Sequence, residues 1–132
     1  MTNKTLHTAK GTMTLMEPGI IRVVLKENIE WTLKDAKETH EANLKLASGG
    51  KYCVYFIGNK FFIPTNEAQK YTMSKACAEY RLGAALVPQN LGLLLFANLF
   101  VKVFAKGKNP AKVFRKEKDA MKWMRELIRK AV

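Results

Sequence analysis

Two spacings of hydrophobic residues alternate along the chain, and together they predict its secondary structure. Residues 11–17 alternate between polar and apolar side chains, and residues 20–26 are rich in β-branched types, so they predict a hairpin across the Pro18-Gly19 turn. Apolar residues then recur at three- and four-residue steps over residues 33–47, which is typical of a helix packed on one side. The same reasoning predicts strands over 51–57, 82–87 and 111–114 and helices over 65–80, 91–104 and 117–130.

The order of these elements predicts the fold class. After the opening hairpin, strands and helices alternate, which favours an α/β fold with a mixed sheet of four to five strands and helices packed on it. Residues 12–132 are long enough for a single domain with one core, whereas residues 1–11 are expected to be flexible. The N-terminal segment lacks the apolar stretch of a secretory signal, so we expect the protein in the cytoplasm.

One segment, Leu82 to Val101, contains twenty residues without a charge. A run of about 20 apolar residues can cross a bilayer. Polar and helix-breaking residues interrupt this run at Pro88, Gln89, Asn90, Gly92 and Asn98. We therefore predict a buried strand followed by the helix over 91–104, rather than a membrane span.

The helix predicted over 91–104 is apolar on almost every side. One side can pack on the sheet, and the other side has three interpretations. It forms the contact of a homodimer, because large exposed apolar patches usually mark interfaces. Alternatively, it forms the wall of a pocket for an apolar ligand, or it is fully buried in the core. The residues assigned to this dimer or ligand surface are Phe96, Leu99, Phe100 and Val103.

The positive charge of the chain is concentrated near its C-terminus. The formal net charge is +12, and from Lys102 onward eleven Lys or Arg residues stand against three acidic ones. This surplus suits an anionic membrane surface or an acidic partner protein, or it is simply solvated. A nucleic-acid surface would add exposed aromatic residues, whereas Trp123 falls on the core-facing side of the last helix, so nucleic acid is not expected. Helical spacing places four of the cations on one basic face: Lys118, Lys122, Arg125 and Arg129.

The sequence contains no recognisable catalytic motif and no set of residues at metal-ligand spacing. Cys53 and Cys77 lack Cys-x-x-Cys spacing and fall in a predicted strand and a predicted helix, so we expect two buried thiols. His40 lies on the apolar side of its predicted helix, where a hydrogen-bonded core histidine is expected. The sequence therefore predicts no metal and no cofactor, and it favours a protein that is not an enzyme.

Four short segments give the chain a resemblance to small bacterial proteins of the STAS-like (SpoIIAA-like) family. They are Trp31–Ala36, Pro64–Ala68, Ala84–Val87 and Asn109–Phe114, and the similarity extends over about residues 12–130. The resemblance implies a STAS-like topology and a non-enzymatic regulatory module that acts through protein–protein interaction. SEC14-like relatives of this fold bind lipids, which implies an alternative, a small carrier or sensor of an apolar ligand beneath the 91–104 helix.

The same resemblance points to one residue for regulation. Members of the better-known branch are phosphorylated on a Ser or Thr at the start of the helix after the third strand, in an Asp-Ser-Ser/Thr-Gly motif. This chain departs from that motif, and Thr65 supplies the hydroxyl at the expected helix start, with Lys60 nearby to hold an anion. Thr65 therefore has two interpretations, a phosphorylation switch and an ordinary N-cap.

Overall fold

A computed structural model describes residues 4–26, 29–58, 62–89, 101–102 and 109–131. The strands are β1 (Thr5–Thr8), β2 (Gly11–Glu17), β3 (Ile20–Leu25), β4 (Ile29–Trp31), β5 (Tyr52–Gly58), β6 (Phe62–Pro64), β7 (Arg81–Pro88) and β8 (Ala111–Val113). The helices with bounds in these ranges are α1 (Leu33–Leu46), α2 (Asn66–Thr72), α3 (Lys75–Ala78) and α4 (Glu117–Ala131).

The strands form a six-stranded mixed sheet and a separate two-stranded one. The order in the large sheet is β1-β2-β3-β5-β7-β8, with β1 to β3 antiparallel and β3, β5, β7 and β8 parallel. The small sheet is the parallel pair β4 and β6. The predicted α/β class, the opening hairpin and the mixed sheet are confirmed. The large sheet has one strand more than the predicted four to five, because β1 extends its edge.

β1 lies in the segment for which the sequence predicts flexibility, and it is instead an edge strand. Its residues pair with β2, from Thr5 opposite Thr14 to Thr8 opposite Gly11. The half-buried Leu6 packs against the core. The segment is short and polar, so its hydrophobic pattern is weak, and the strand exists because β2 offers it a backbone to pair with.

Alternate residues of the strands build a separate core on each side of the sheet. The core on the α1 side contains the buried strand residues Met13, Ile21, Val23, Val54, Phe56 and Leu86, together with Ala42 and Leu46 of the helix. The core on the α4 side contains Ile20, Cys53, Tyr55, Ile57, Ala85 and Val87, together with Ala120 and Met124 of the helix. The two helices therefore lie on opposite faces of one sheet.

Two glycines allow α4 to approach the sheet closely. Gly19 forms the hairpin turn with φ +82°, a conformation that other residues rarely adopt, and a Cβ there would lie 3.1 Å from Cδ1 of Ile128. A Cβ on Gly83 would overlap the side chain of Leu127. The contact between the last helix and the sheet thus depends on backbone positions that lack a side chain.

The helix predicted over 65–80 is divided into α2 and α3. The break falls at Met73 and Ser74, where the Ser74 hydroxyl donates a hydrogen bond to the carbonyl of Tyr71 at 2.6 Å. Serine competes for backbone hydrogen bonds in this way, and the periodicity of the neighbouring apolar residues does not reveal it.

The helix predicted over 91–104 lies outside the described residues, except for its positions 101–102, which are helical. Val101 is half-buried and packs against the core on the α1 side. Among the helices that the structure describes, none has the length and apolar content that crossing a bilayer requires.

Candidate functional site

The amino ends of α1 and α2 lie side by side at one end of the molecule. Their preceding strands, β4 and β6, pair in parallel, with Trp31 opposite Pro64. The backbone N–H of Thr65 donates to the carbonyl of Trp31 at 2.9 Å, which fixes the two helix starts relative to each other. Each helix begins after a threonine, Thr32 for α1 and Thr65 for α2.

Thr65 is the N-cap of α2. Its backbone is extended (φ −67°, ψ 163°), and its Oγ1 accepts a hydrogen bond from the backbone N–H of Ala68 at 3.1 Å. Ala68 is fully buried and holds the first turn against Trp31 and Ala36. The N-cap interpretation is confirmed, and phosphorylation of Thr65 stays a prediction. Lys60 lies outside the described residues.

The start of α1 is more elaborately capped than that of α2. Thr32 and Asp35 form a reciprocal capping box, in which Asp35 accepts from the Thr32 backbone and hydroxyl, both at 2.8 Å. Lys10, in the β1–β2 turn, donates to the same carboxylate at 2.7 Å. Burial opposes ionisation of Asp35, but the bonds from Lys10 and Thr32 outweigh it and lower the pKa of the carboxyl. The cluster ties the β1–β2 turn to α1.

His40 and its neighbours form a buried polar cluster between α1 and the sheet. Its Nδ1 is 2.9 Å from the hydroxyl of Tyr52, and its ring centroid is 6.1 Å from those of both Tyr71 and Tyr80. Burial, assisted by the nearby positive charge of Arg81, lowers the pKa of the imidazole. The prediction of a hydrogen-bonded core histidine is confirmed.

Arg81 is a buried cation in the same cluster. It is the first residue of β7, and its Nη2 donates to the carbonyl of Thr72 at 2.8 Å, at the carboxyl end of α2. A positive charge is favourable there because the last carbonyls of a helix carry partial negative charge. This contact joins α2 to the sheet, and the uncharged run after Arg81 gave no signal for it.

The two cysteines are free and buried, as predicted. Cys53 packs in the core on the α4 side, where burial raises the pKa of its thiol to about 12. Burial also raises the pKa of Cys77, on α3. Both thiols therefore stay protonated near neutral pH and are poor nucleophiles or metal ligands. No cluster of three potential metal ligands occurs in the part of the chain that the structure describes.

The predicted basic face of α4 is exposed, and half of it is engaged in ion pairs. Arg125 binds both carboxylate oxygens of Glu17 at the end of β2, at 2.7 and 2.9 Å. Arg129 pairs with Glu126 on its own helix at 2.7 Å. Lys118 and Lys122 are exposed, and neither forms an ion pair with a described residue.

A second polar link joins the start of α4 to the sheet, and the sequence analysis missed it. Glu117 accepts hydrogen bonds from Arg22 of β3 at 2.8 Å and from the Tyr55 hydroxyl of β5 at 3.0 Å. Burial opposes ionisation of Glu117, but the bonds from Arg22 and Tyr55 outweigh it and lower the pKa of the carboxyl. The link joins residues 95 positions apart, so no local pattern could predict it.

Within the part of the chain that the structure describes, one region of the sheet carries no helix. α4 packs on β3, β5 and β7, so the same side of β1 and β2 carries no described helix. We call this region the open sheet face. The strand register places six side chains on it, in the rows Thr5–Thr14–Arg22 and His7–Thr12–Val24.

The predicted sites do not converge. Thr65 precedes α2, which packs against α1 on one side of the sheet, whereas the basic face lies on α4 on the other side. The residues predicted for a dimer or ligand surface, Phe96, Leu99, Phe100 and Val103, lie outside the described residues. The homodimer and the apolar ligand therefore stay predictions.

Comparisons with known proteins agree with this architecture. An uncharacterised protein of the DUF3478 family with a SpoIIAA-like fold, from Shewanella loihica PV-4, is similar in structure with a TM-score of 0.52. The two are 12% identical, and the match covers 93% of this chain and 92% of that one. The chain thus has a SpoIIAA-like fold, as the family resemblance implies.

The sequence also defines a family. Residues 14–128 match the domain of unknown function DUF7793, and the chain belongs to that family. A comparison with curated protein sequences finds no match.

Proposed function

We propose that the protein is a non-enzymatic regulatory module that acts by binding another protein. The SpoIIAA-like fold supports this proposal at the level of architecture. The observation that carries the proposal is that the ionisable side chains are used in ion pairs within the fold. Three carboxylates each form an ion pair that attaches a helix to the rest of the fold, namely Asp35 with Lys10, Glu17 with Arg125 and Glu117 with Arg22.

These contacts move the pKa values away from those that acid–base catalysis uses. The pKa of each of the three carboxyls is lowered, so all three are ionised and paired near neutral pH. Burial raises the pKa of Tyr52 and Tyr55, so both stay protonated. A general acid or base works best with a pKa near the operating pH. The described polar groups are therefore suited to holding the fold and presenting a charged surface.

Native mass spectrometry of the full chain, purified from its own source, tests this proposal. We expect a complex with a second polypeptide in a simple ratio. Comparison with the denatured sample is the control, because a noncovalently bound molecule disappears from the mass on denaturation. A lipid-sized adduct on an otherwise single chain would contradict the proposal and favour the apolar-ligand carrier.

The same measurement separates the homodimer from the carrier. A dimer contact through the 91–104 segment predicts that Leu99→Asp and Phe100→Asp give soluble monomers. A carrier predicts that both variants keep their oligomeric state and lose the bound molecule. Lys102→Asp, which changes a charged residue in the same segment, is the matched control and should alter neither.

Regulation through Thr65 needs its own test, because the structure uses this hydroxyl as an N-cap. Thr65→Ala should lower the free energy of unfolding by about 1 kcal/mol, whereas Thr65→Ser keeps the cap. A switch additionally requires that Thr65→Asp change binding of the partner while Thr65→Ser does not. If Thr65→Asp and Thr65→Ala bind the partner equally, Thr65 is a cap alone.

A further inference from the structure

The open sheet face differs in chemistry from the other side of the same strands. Towards α1, β1 to β3 present Leu6, Met13, Leu15, Ile21 and Val23. Towards the α4 side, β1 and β2 present hydroxyls and one imidazole that bond to each other: Thr5 to Thr14 at 3.2 Å, and Thr12 to Nδ1 of His7 at 3.2 Å. The outer strand residues Thr5 and His7 are exposed. The face is a polar floor that water or a partner can reach.

The basic face of α4 borders this floor. Arg125 belongs to the basic face and reaches Glu17, the last residue of β2, so the basic face lies on the side of α4 nearest the open strands. At the start of the helix, Glu117 reaches Arg22 on the floor itself. The two pairs align α4 as a wall along one side of the open sheet face.

The open sheet face and α4 meet at a corner, and the positive and negative side chains of this corner do not balance. Three of its cations are paired with carboxylates, Arg22, Arg125 and Arg129. Lys118 and Lys122 form no ion pair with a described residue, although Lys122 lies close enough to Glu126 to interact with its charge. The two lysines are exposed on successive turns of the helix. In a chain of net charge +12, this excess favours an anionic partner.

The side chains of the corner select among anionic partners. Single-stranded nucleic acid uses aromatic side chains on which bases stack, and the aromatic Trp123 of α4 instead faces β8, with Lys112 5.6 Å above its ring. A helix that binds a membrane surface buries its apolar side in lipid, and the apolar side of α4 is already buried with Ala120 and Met124 at 0% exposure. Carboxylates, by contrast, accept hydrogen bonds from hydroxyls, ammonium groups and guanidinium groups alike.

We propose that the corner between the open sheet face and α4 binds an acidic segment of a partner protein. Lys118 and Lys122 pair with its carboxylates, and the hydroxyls of Thr12 and Thr14 donate to them from the floor. The inference deepens the proposed function, on which it rests, by assigning the binding surface and the chemistry of the partner.

The test measures binding of a fluorescent deca-glutamate peptide to the full chain by anisotropy, at an ionic strength of about 0.1 M. Lys118→Glu/Lys122→Glu should weaken binding by about tenfold or more, because it replaces two attractive charges with two repulsive ones. Lys34→Glu/Lys45→Glu makes the same change in net charge on exposed positions of α1, across the sheet, and should change the affinity by less than about twofold. Thr12→Val/Thr14→Val keeps the charge and should weaken binding by about threefold through lost hydrogen bonds.

Equal losses in the two lysine variants would show attraction to the net charge alone and would overturn the proposal. Absence of binding would overturn it as well. Tighter binding of a ten-residue thymidine oligonucleotide, or of vesicles of phosphatidylserine and phosphatidylcholine, with the same dependence on Lys118 and Lys122 would assign the corner to another partner class. Circular dichroism confirms that each variant is folded.

A natural partner distinguishes failure of this inference from failure of the proposed function. If native mass spectrometry finds a partner protein and Lys118→Glu/Lys122→Glu leaves that complex intact, the chain is a binding module whose surface lies elsewhere. If no partner protein is found, the proposed function fails with it.

Discussion

The two faces of the sheet are covered to different extents. On one face α1 packs over β1 and β2 and α3 contacts β7, so helices lie on antiparallel and parallel strands alike. On the other face α4 packs over β3, β5 and β7, and no helix among the described residues covers β1 and β2. The covered face combines an apolar core with the buried polar cluster around His40, whereas the half-covered face ends in ion pairs and hydroxyls at β1 and β2. The two faces thus differ in how much of the sheet the described helices bury.

The largest effect should come from the core that each helix covers. Met124→Ala on α4 and Leu46→Ala on α1 remove buried side chains from opposite faces, and each should cost about 2–5 kcal/mol of unfolding free energy. Thr14→Ala on the open sheet face should cost less than about 0.5 kcal/mol. Urea denaturation measures all three. A loss at Thr14 as large as at Met124 would mean that the open sheet face is part of the core.

The next largest loss of stability should distinguish the N-terminal cap of α1 from that of α2. Asp35→Ala removes the capping box and the acceptor of Lys10 together, so it should cost about 2 kcal/mol, the upper end of the range for caps. Thr65→Ala removes one N-cap acceptor and should cost about half as much. Asp119→Ala, an exposed acidic residue in the first turn of α4, is the matched control and should cost less than about 1 kcal/mol. Equal losses of unfolding free energy in Asp35→Ala and Asp119→Ala would mean that Asp35 acts only through the helix dipole and that the capping box adds no stability.

A smaller effect tests the link at the edge of the half-covered face. Tyr55→Phe removes the hydroxyl that donates to Glu117 and should cost about 1 kcal/mol, because Glu117 keeps its pairing with Arg22. Glu117→Gln should cost at least as much, since it weakens both contacts. If Tyr55→Phe is neutral, water replaces the hydroxyl and the link does not hold α4.

The smallest effect is a pH dependence of stability that arises from His40 on the covered face. The pKa of His40 is lowered in the folded protein, so between that pKa and the unfolded value of about 6.5 the unfolded chain binds more protons. Stability should therefore fall as the pH is lowered below about 6.5, by less than about 1.4 kcal/mol per pH unit for one proton. Urea midpoints across this window measure the slope. His40→Gln should flatten it, and an unchanged slope in that variant would assign the dependence to another group.

The sequence predicted the elements whose causes are local. The apolar spacing over residues 33–47 predicts α1, and the apolar spacing of the last helix predicts which of its sides packs on the sheet. The same reasoning failed at β1, where Leu6 is the one apolar residue of four and the strand forms because β2 lies beside it. Local patterns therefore predict single helices and strands better than they predict which strands pair at the edge of a sheet.

The candidate site was predicted only in part, for a related reason. Spacing alone placed Lys118, Lys122, Arg125 and Arg129 on one side of a helix. The open sheet face depends instead on which strands that helix covers, and this is decided by contacts such as Arg125 with Glu17, 108 positions apart. The alternation around Thr12 and Thr14 did signal a polar side of β2, but it could not show whether a helix covers that side.

The turn at Gly19 lies beside α4, and the turn and the helix contact form at different stages of folding. The hairpin around it closes over a few residues and can form in microseconds. Its contact with Ile128, like the pairs from Glu17 and Arg22 to α4, requires a loop of about a hundred residues to close, which carries a larger entropic cost. The hairpin is thus among the first elements able to form, and its surroundings are completed only when α4 docks. Until then the core on that side of the sheet, including Cys53, is exposed to solvent and to other chains.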